Sequence, residues 1–120
     1  METPENTGLS AEVVPTPEDE KIFQEIENGN FKNTYKLTAI TDKIAKTLYE
    51  TNYEGHLDLR NLTSLSDNAA FYISKYKGEI LSLQRLIFIS DKGIGYLAYS
   101  KVIVYTNSNI QDRIDKIKAK

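Results

Sequence analysis

Hydrophobic positions change their period several times along the chain, and the changes mark elements. In "TPEDEKIFQEIENGN", Ile22, Phe23 and Ile26 share one face at helical spacing. Thr16 suits an N-cap and Pro17 the first helical position, while Glu18, Asp19 and Glu20 favour the positive end of the helix dipole. Gly29 follows as a stop. The pattern predicts an amphipathic helix over 16–29. Near the other end, "NSNIQDRIDKIKAK" sets Ile110, Ile114 and Ile117 at i, i+4 and i+7, with Asn107 or Ser108 placed to start a helix over 107–120. Between them, "HLDLRNL" and "ILSLQRL" both read L-x-L-x-x-L, which predicts two short strands with one buried face each. "SKVIVYTN" reads as a third strand that arrives about three residues early, with Val102 and Val104 taking the inward places.

The stretch between the terminal helices repeats. "LTSLSDNAAFYI" at 62–73 returns 24 positions later as "LIFISDKGIGYL". Aligned on Asp42, Asp67 and Asp91, three copies agree in six columns. Leu37, Leu62 and Leu86 stand five residues before the aspartate, and Ile40, Leu65 and Ile89 two before. Thr41, Ser66 and Ser90 immediately precede it. Ile44, Ala69 and Gly93 come two after, Ala45, Ala70 and Ile94 three after, and Leu48, Ile73 and Leu97 six after. The hydroxyl–aspartate pair predicts a helix N-cap, and Asp42, Asp67 and Asp91 are read as structural helix caps. The apolar columns that follow fall on one helical face. Gly55 and Gly78 suit helix C-caps with positive φ. Each unit is then a strand, a turn and a short helix that must stack on its neighbours to bury its apolar side.

The texts "LTSLSDNAAFYISKYKGEILSL", "LTAITDKIAKTLYETNYEGHLDL" and "LIFISDKGIGYLAYSKVIVY" resemble the leucine-rich repeat family over about residues 37–105. They are similar to its bacterial variety with units of the type L-T-S-L-S-D-x-A-A-x-x-L-x-x-x-x-G-x-L-x-L. Leu62 and Leu86 stand where the usual repeat places Asn or Cys, so an aliphatic spine replaces an Asn ladder. The resemblance implies an α/β fold, a short βα solenoid of about three units with flanking capping helices. It also implies protein–protein recognition and no catalytic residues. The expected organisation is a disordered acidic tail at 1–15, a capping helix at 16–29, the solenoid at 30–106 and a second capping helix at 107–120.

Composition narrows the functions open to such a chain. Its 120 residues are one small domain's worth. With no cysteine, disulfides, thiolate metal sites and thiol nucleophiles are excluded together. The first residues show neither a basic n-region nor an apolar h-region, and no apolar stretch approaches membrane-spanning length. The expectation is a cytoplasmic protein with no membrane association. The net charge of −2 divides unevenly: residues 1–30 carry −7 and residues 31–120 carry +5. The positive charge is spread along the body rather than clustered, and Tyr49, Tyr72, Tyr76, Tyr96 and Tyr99 fall in the repeat helices, which argues against nucleic-acid binding.

Little chemistry is visible. His56, the only histidine, reads as a surface residue at a strand start. "GIG" at 93–95 lacks the third glycine and distant acid of a dinucleotide fingerprint, and its glycines suit close helix packing. No spacing predicts a metal site, a cofactor or a catalytic triad. The outward strand positions Asp58, Arg60, Ser82, Gln84, Ile103 and Tyr105 form the candidate binding surface, a polar row ending in an apolar patch. The expected function is non-enzymatic binding of a protein or peptide through this strand face. The alternative is a self-stacking piece of a longer repeat array, with nucleic-acid binding third.

Overall fold

The apolar columns of the three sequence copies are buried throughout. The computed structural model describes residues 14–51 and 54–119. Every residue in the five apolar columns is buried, from Leu37, Leu62 and Leu86 to Leu48, Ile73 and Leu97. The elements run α1 (Pro17–Glu27), a 3-10 turn (Thr34–Lys36), α2 (Asp42–Glu50), β1 (His56–Asp58), α3 (Asp67–Ser74), β2 (Ile80–Leu83), α4 (Asp91–Ala98), β3 (Ile103–Thr106) and α5 (Ser108–Lys118). Among the described residues this is an α/β domain of five helices and one three-stranded parallel sheet in the order β1-β2-β3. The tail expected at 1–15 falls mainly on residues 1–13, which lie outside the described residues.

The helices form one row in chain order, each packed on the next, with α1 and α5 at its ends. Leu57, Leu59, Leu81 and Leu83 are fully buried and share one core with the apolar faces of the helices. Leu62 and Leu86 are buried in that core. The loops after β1 and β2 also stack: Ser64 pairs with Phe88, and the Leu65 amide donates to the Phe88 carbonyl at 3.0 Å.

The helix starts follow the cap chemistry, shifted by one residue. Thr41, Ser66 and Ser90 are the N-caps, and their hydroxyls accept from the amides of Ile44, Ala69 and Gly93 at 3.0–3.1 Å. Asp42, Asp67 and Asp91, expected as caps, are instead the first helical residues. Their carboxylates project to the neighbouring helix. Asp42 accepts from the Ser66 hydroxyl at 2.6 Å and the Asn68 amide at 3.2 Å. Asp67 accepts from the Ser90 hydroxyl, and Asp91 from Arg113 at 2.8 Å. A hydroxyl has both a donor and acceptor lone pairs, so one serine can cap its own helix and tie it to the previous one. Ser66→Ala should therefore cost about 1 kcal/mol, and Asp67→Ala about half of that. Thermal melts of the two variants check the order.

The glycines require a second correction. Gly29 alone among the described residues has positive φ, at 86°. There α1 closes with the amide of Gly29 on the Ile26 carbonyl and that of Asn30 on the Glu25 carbonyl, a Schellman ending. Gly55 and Gly78 are not left-handed caps. Gly78 is needed because a Cβ there would lie 2.5 Å from the ring of Tyr76. Tyr76 is buried and donates its hydroxyl to the Gly55 carbonyl at 2.7 Å, which ties the turn after α3 to the one before β1.

The last unit is shortened differently from the expectation. Register places Val104 opposite Leu81 and Thr106 opposite Leu83, so β3 arrives one residue early relative to the preceding repeat, not three. Val104 takes the inward place, while Val102 is buried ahead of the strand. The chain then enters α5 at once, without the loop that follows β1 and β2. Asn107 caps α5 and donates to the carbonyls of Gln84 and Leu86 at 3.0 and 2.8 Å. A single Asn thus satisfies loop carbonyls where the stack ends.

Candidate functional site

Alternation along β1 puts Leu57 into the core and His56 and Asp58 on the opposite side of the sheet. Register sets Asp58 beside Ser82 and Ser82 beside Tyr105, with His56, Ile80 and Ile103 in the adjacent row. Arg60 and Gln84 extend the same side into the loops that follow. Asp58, Arg60, Ser82 and Gln84 come together around a depression of about 270 Å3, which His56, Asn61 and Arg85 complete. Ile103 and Tyr105 lie outside it on the edge strand, 57% and 49% exposed. The six expected positions therefore share one side of the sheet but divide into a polar depression and an apolar border.

Ser82 departs from the expectation of an open position, since it is only 1% exposed. His56 from the neighbouring strand lies over it, with Nε2 against the serine hydroxyl. A hydroxyl on an imidazole nitrogen is the start of a nucleophile–base pair. Here the hydroxyl is covered, and the nearby carboxylate that could orient the imidazole is engaged elsewhere. Asp58 accepts from Arg60 Nε at 3.2 and 3.1 Å, from Nη2 at 2.6 Å and from the Arg60 amide at 3.1 Å. Those hydrogen bonds from Arg60 hold the Asp58 carboxyl below its ordinary value, against the opposing effect of burial. The pair is a fixed fork, half-buried on the carboxylate side, rather than two independent charges.

Four members of this surface, His56, Tyr35, Asn61 and Arg85, lie outside the expected binding row. His56 stands two residues before Asp58, so strict alternation would have found it. Tyr35 reaches the face from the 3-10 turn, its ring centroid 5.4 Å from the Arg60 guanidinium. Asn61 fixes that turn by donating to the Tyr35 carbonyl at 2.7 Å. Arg85 joins from the loop after β2 and has no ion pair among the described residues. Neither Tyr35 nor Arg85 lies on a strand, so neither carries a periodic signal.

Among the described residues, no group of three or more His, Cys, Asp or Glu could hold a metal ion, and no helix is long and apolar enough to cross a membrane. No protein-family model, curated protein or solved structure matches the chain.

Proposed function

We propose that the chain is a short leucine-rich-repeat-like βα solenoid that acts as a non-enzymatic recognition module. It binds a protein or peptide through the open side of its parallel sheet. One observation carries this reading. Parallel sheets are ordinarily covered on both faces, whereas here the side opposite the helices presents Arg60, Gln84, Ile103 and Tyr105 to solvent. Arg and Tyr are the side chains that most often dominate binding energy at interfaces. The Asp58–Arg60 fork, steadied by the Tyr35 ring, supplies a preorganised polar contact, and Ile103 with Tyr105 supplies apolar area beside it.

The test compares two surfaces of one protein. Replacing Arg60 and Tyr105 together with Ala should lower stability by no more than about 1 kcal/mol, the loss of the exposed Arg60–Asp58 pair. Affinity for a partner isolated with the wild-type chain should fall at least about tenfold. Phe71→Ala, on the exposed side of α3, should leave that affinity intact. Equal losses from both surfaces would overturn the assignment to the strand face.

A second reading, association of copies end to end, is favoured by the exposed Ile103 and Tyr105 on a terminal strand whose outer edge pairs with no further strand among the described residues. Sedimentation of the pure protein across concentration separates the two. A constant monomer supports a foreign partner, and concentration-dependent growth abolished by Tyr105→Lys supports stacking.

A further inference from the structure

Away from the strand face, the turns that follow α3 and α4 enclose a cleft of about 520 Å3. Lys75, Lys77 and Lys101 line it together with Tyr96 and Tyr99, and no carboxylate does. None of the three lysines has an ion pair among the described residues. The negative poles of two helix ends account for one lysine each. Lys75 also lies over the Phe71 ring at 5.5 Å and Lys77 over the Tyr49 ring at 5.9 Å, but neither a ring nor a helix end neutralises a full charge, and the lining holds no acid that does.

Gly95 supplies the independent observation. It sits inside α4, where glycine costs roughly 1 kcal/mol against alanine. Its neighbour Gly93 has a packing reason: a Cβ there would meet Ile89 at 2.7 Å and Ala70 at 3.3 Å. Gly95 has none, because a Cβ there would meet nothing within 4 Å. It lines the cleft, so any larger side chain would project into that space. The expectation that both glycines serve close helix packing holds for Gly93 and fails for Gly95.

We propose that this cleft is a binding site for a ligand of the mononucleotide class, with Gly95 keeping its floor open. Lysine ammonium groups are point-charge binders of phosphate, and tyrosine rings stack on bases. Tyr96 is braced edge-on against Phe71, with centroids 5.4 Å apart, and Tyr99 is 69% exposed at the rim. The volume lies within the range of small-ligand sites. A cleft closed on two sides by turns suits such a ligand better than an extended chain.

Calorimetric titration with AMP, UMP, adenosine and inorganic phosphate tests the assignment. The wild-type protein should bind at least one nucleotide more tightly than adenosine and than phosphate. Gly95→Leu should weaken that binding at least about tenfold while its melting temperature stays level or rises, since leucine is the better helix former. Lys101→Gln, which fills nothing, should weaken the nucleotide but not adenosine. Absence of nucleotide binding at millimolar concentration overturns the proposal. So does full affinity in Gly95→Leu, equal affinity for phosphate alone, or binding of polyglutamate with no response to either nucleotide.

Discussion

Ile73→Ala is expected to lower the unfolding free energy by about 3 kcal/mol, within the range for buried aliphatic truncations. Ile73 is 0% exposed and belongs to α3, the central helix of the row, with α2 on one side and α4 on the other. Ala69 and Ala70 precede it on the same face and are equally buried. They let the helices approach closely, and they have no spare volume with which to fill a hole. A truncation at Ile73 therefore leaves a cavity bounded by three helices and the sheet. Collapse into it is opposed by the serine–aspartate bonds that hold the helix starts in register, Ser66 on Asp42 and Ser90 on Asp67. Urea unfolding should show a lower midpoint with unchanged slope, because the surface exposed on unfolding is the same. Phe71→Ala, two residues earlier and 38% exposed, should cost clearly less. If the two substitutions cost the same, the alignment of the three helical faces is wrong.

That alignment was readable because each column has a single physical job. An apolar residue at a fixed offset from a hydroxyl–aspartate pair meets the same surroundings in every copy, so the sequence repeats the solution. The turns repeat less faithfully, and there the sequence misleads. Gly78 looks like a left-handed cap, yet it answers to the ring of Tyr76, two residues away in sequence and folded back against it. The shift of cap from Asp67 to Ser66 has the same origin. A serine and an aspartate at successive positions both can cap, and only the neighbouring helix decides which carboxylate is drawn away. On the strand face, alternation identifies Asp58 and Arg60 as outward positions. It cannot foresee that His56 of β1 covers Ser82 of β2, because that contact depends on the register between strands. The lysines of the cleft were invisible as a group. Lys75 and Lys77 lie in one turn and Lys101 in the next, and parallel stacking alone brings them to one edge.

Asp19→Ala is the second substitution expected to be severe, with a loss of about 2–3 kcal/mol. From sequence, Asp19 is one of three acids in the first turn of α1, each suited to the helix dipole. In the structure it is 1% exposed and its two oxygens are fully used. Oδ2 accepts from the Thr16 amide at 2.9 Å, completing a capping box in which the Thr16 hydroxyl accepts from the Asp19 amide at 3.0 Å. Oδ2 also accepts from the Thr38 hydroxyl at 2.8 Å, and Oδ1 from the Thr38 amide at 2.9 Å. Thr38 immediately follows Leu37, the first apolar column of the first copy. One carboxylate thus closes the start of the end helix and fastens it to the chain that enters the repeats. Alanine removes three acceptances at once and strands donors that were satisfied, which costs more than the mean value of the bonds themselves. Glu18→Ala and Glu20→Ala, at exposed positions in the same turn, lose only their interaction with the dipole and should each cost a few tenths of a kcal/mol. Asp19→Asn should fall between these limits, because its single amide oxygen can replace only part of the acceptor set. Chemical unfolding of the four variants would resolve the order. If Asp19→Ala were no worse than its two neighbours, the link from α1 to Thr38 would carry no weight, and the end helix would be held by Ile22, Phe23 and Ile26 alone.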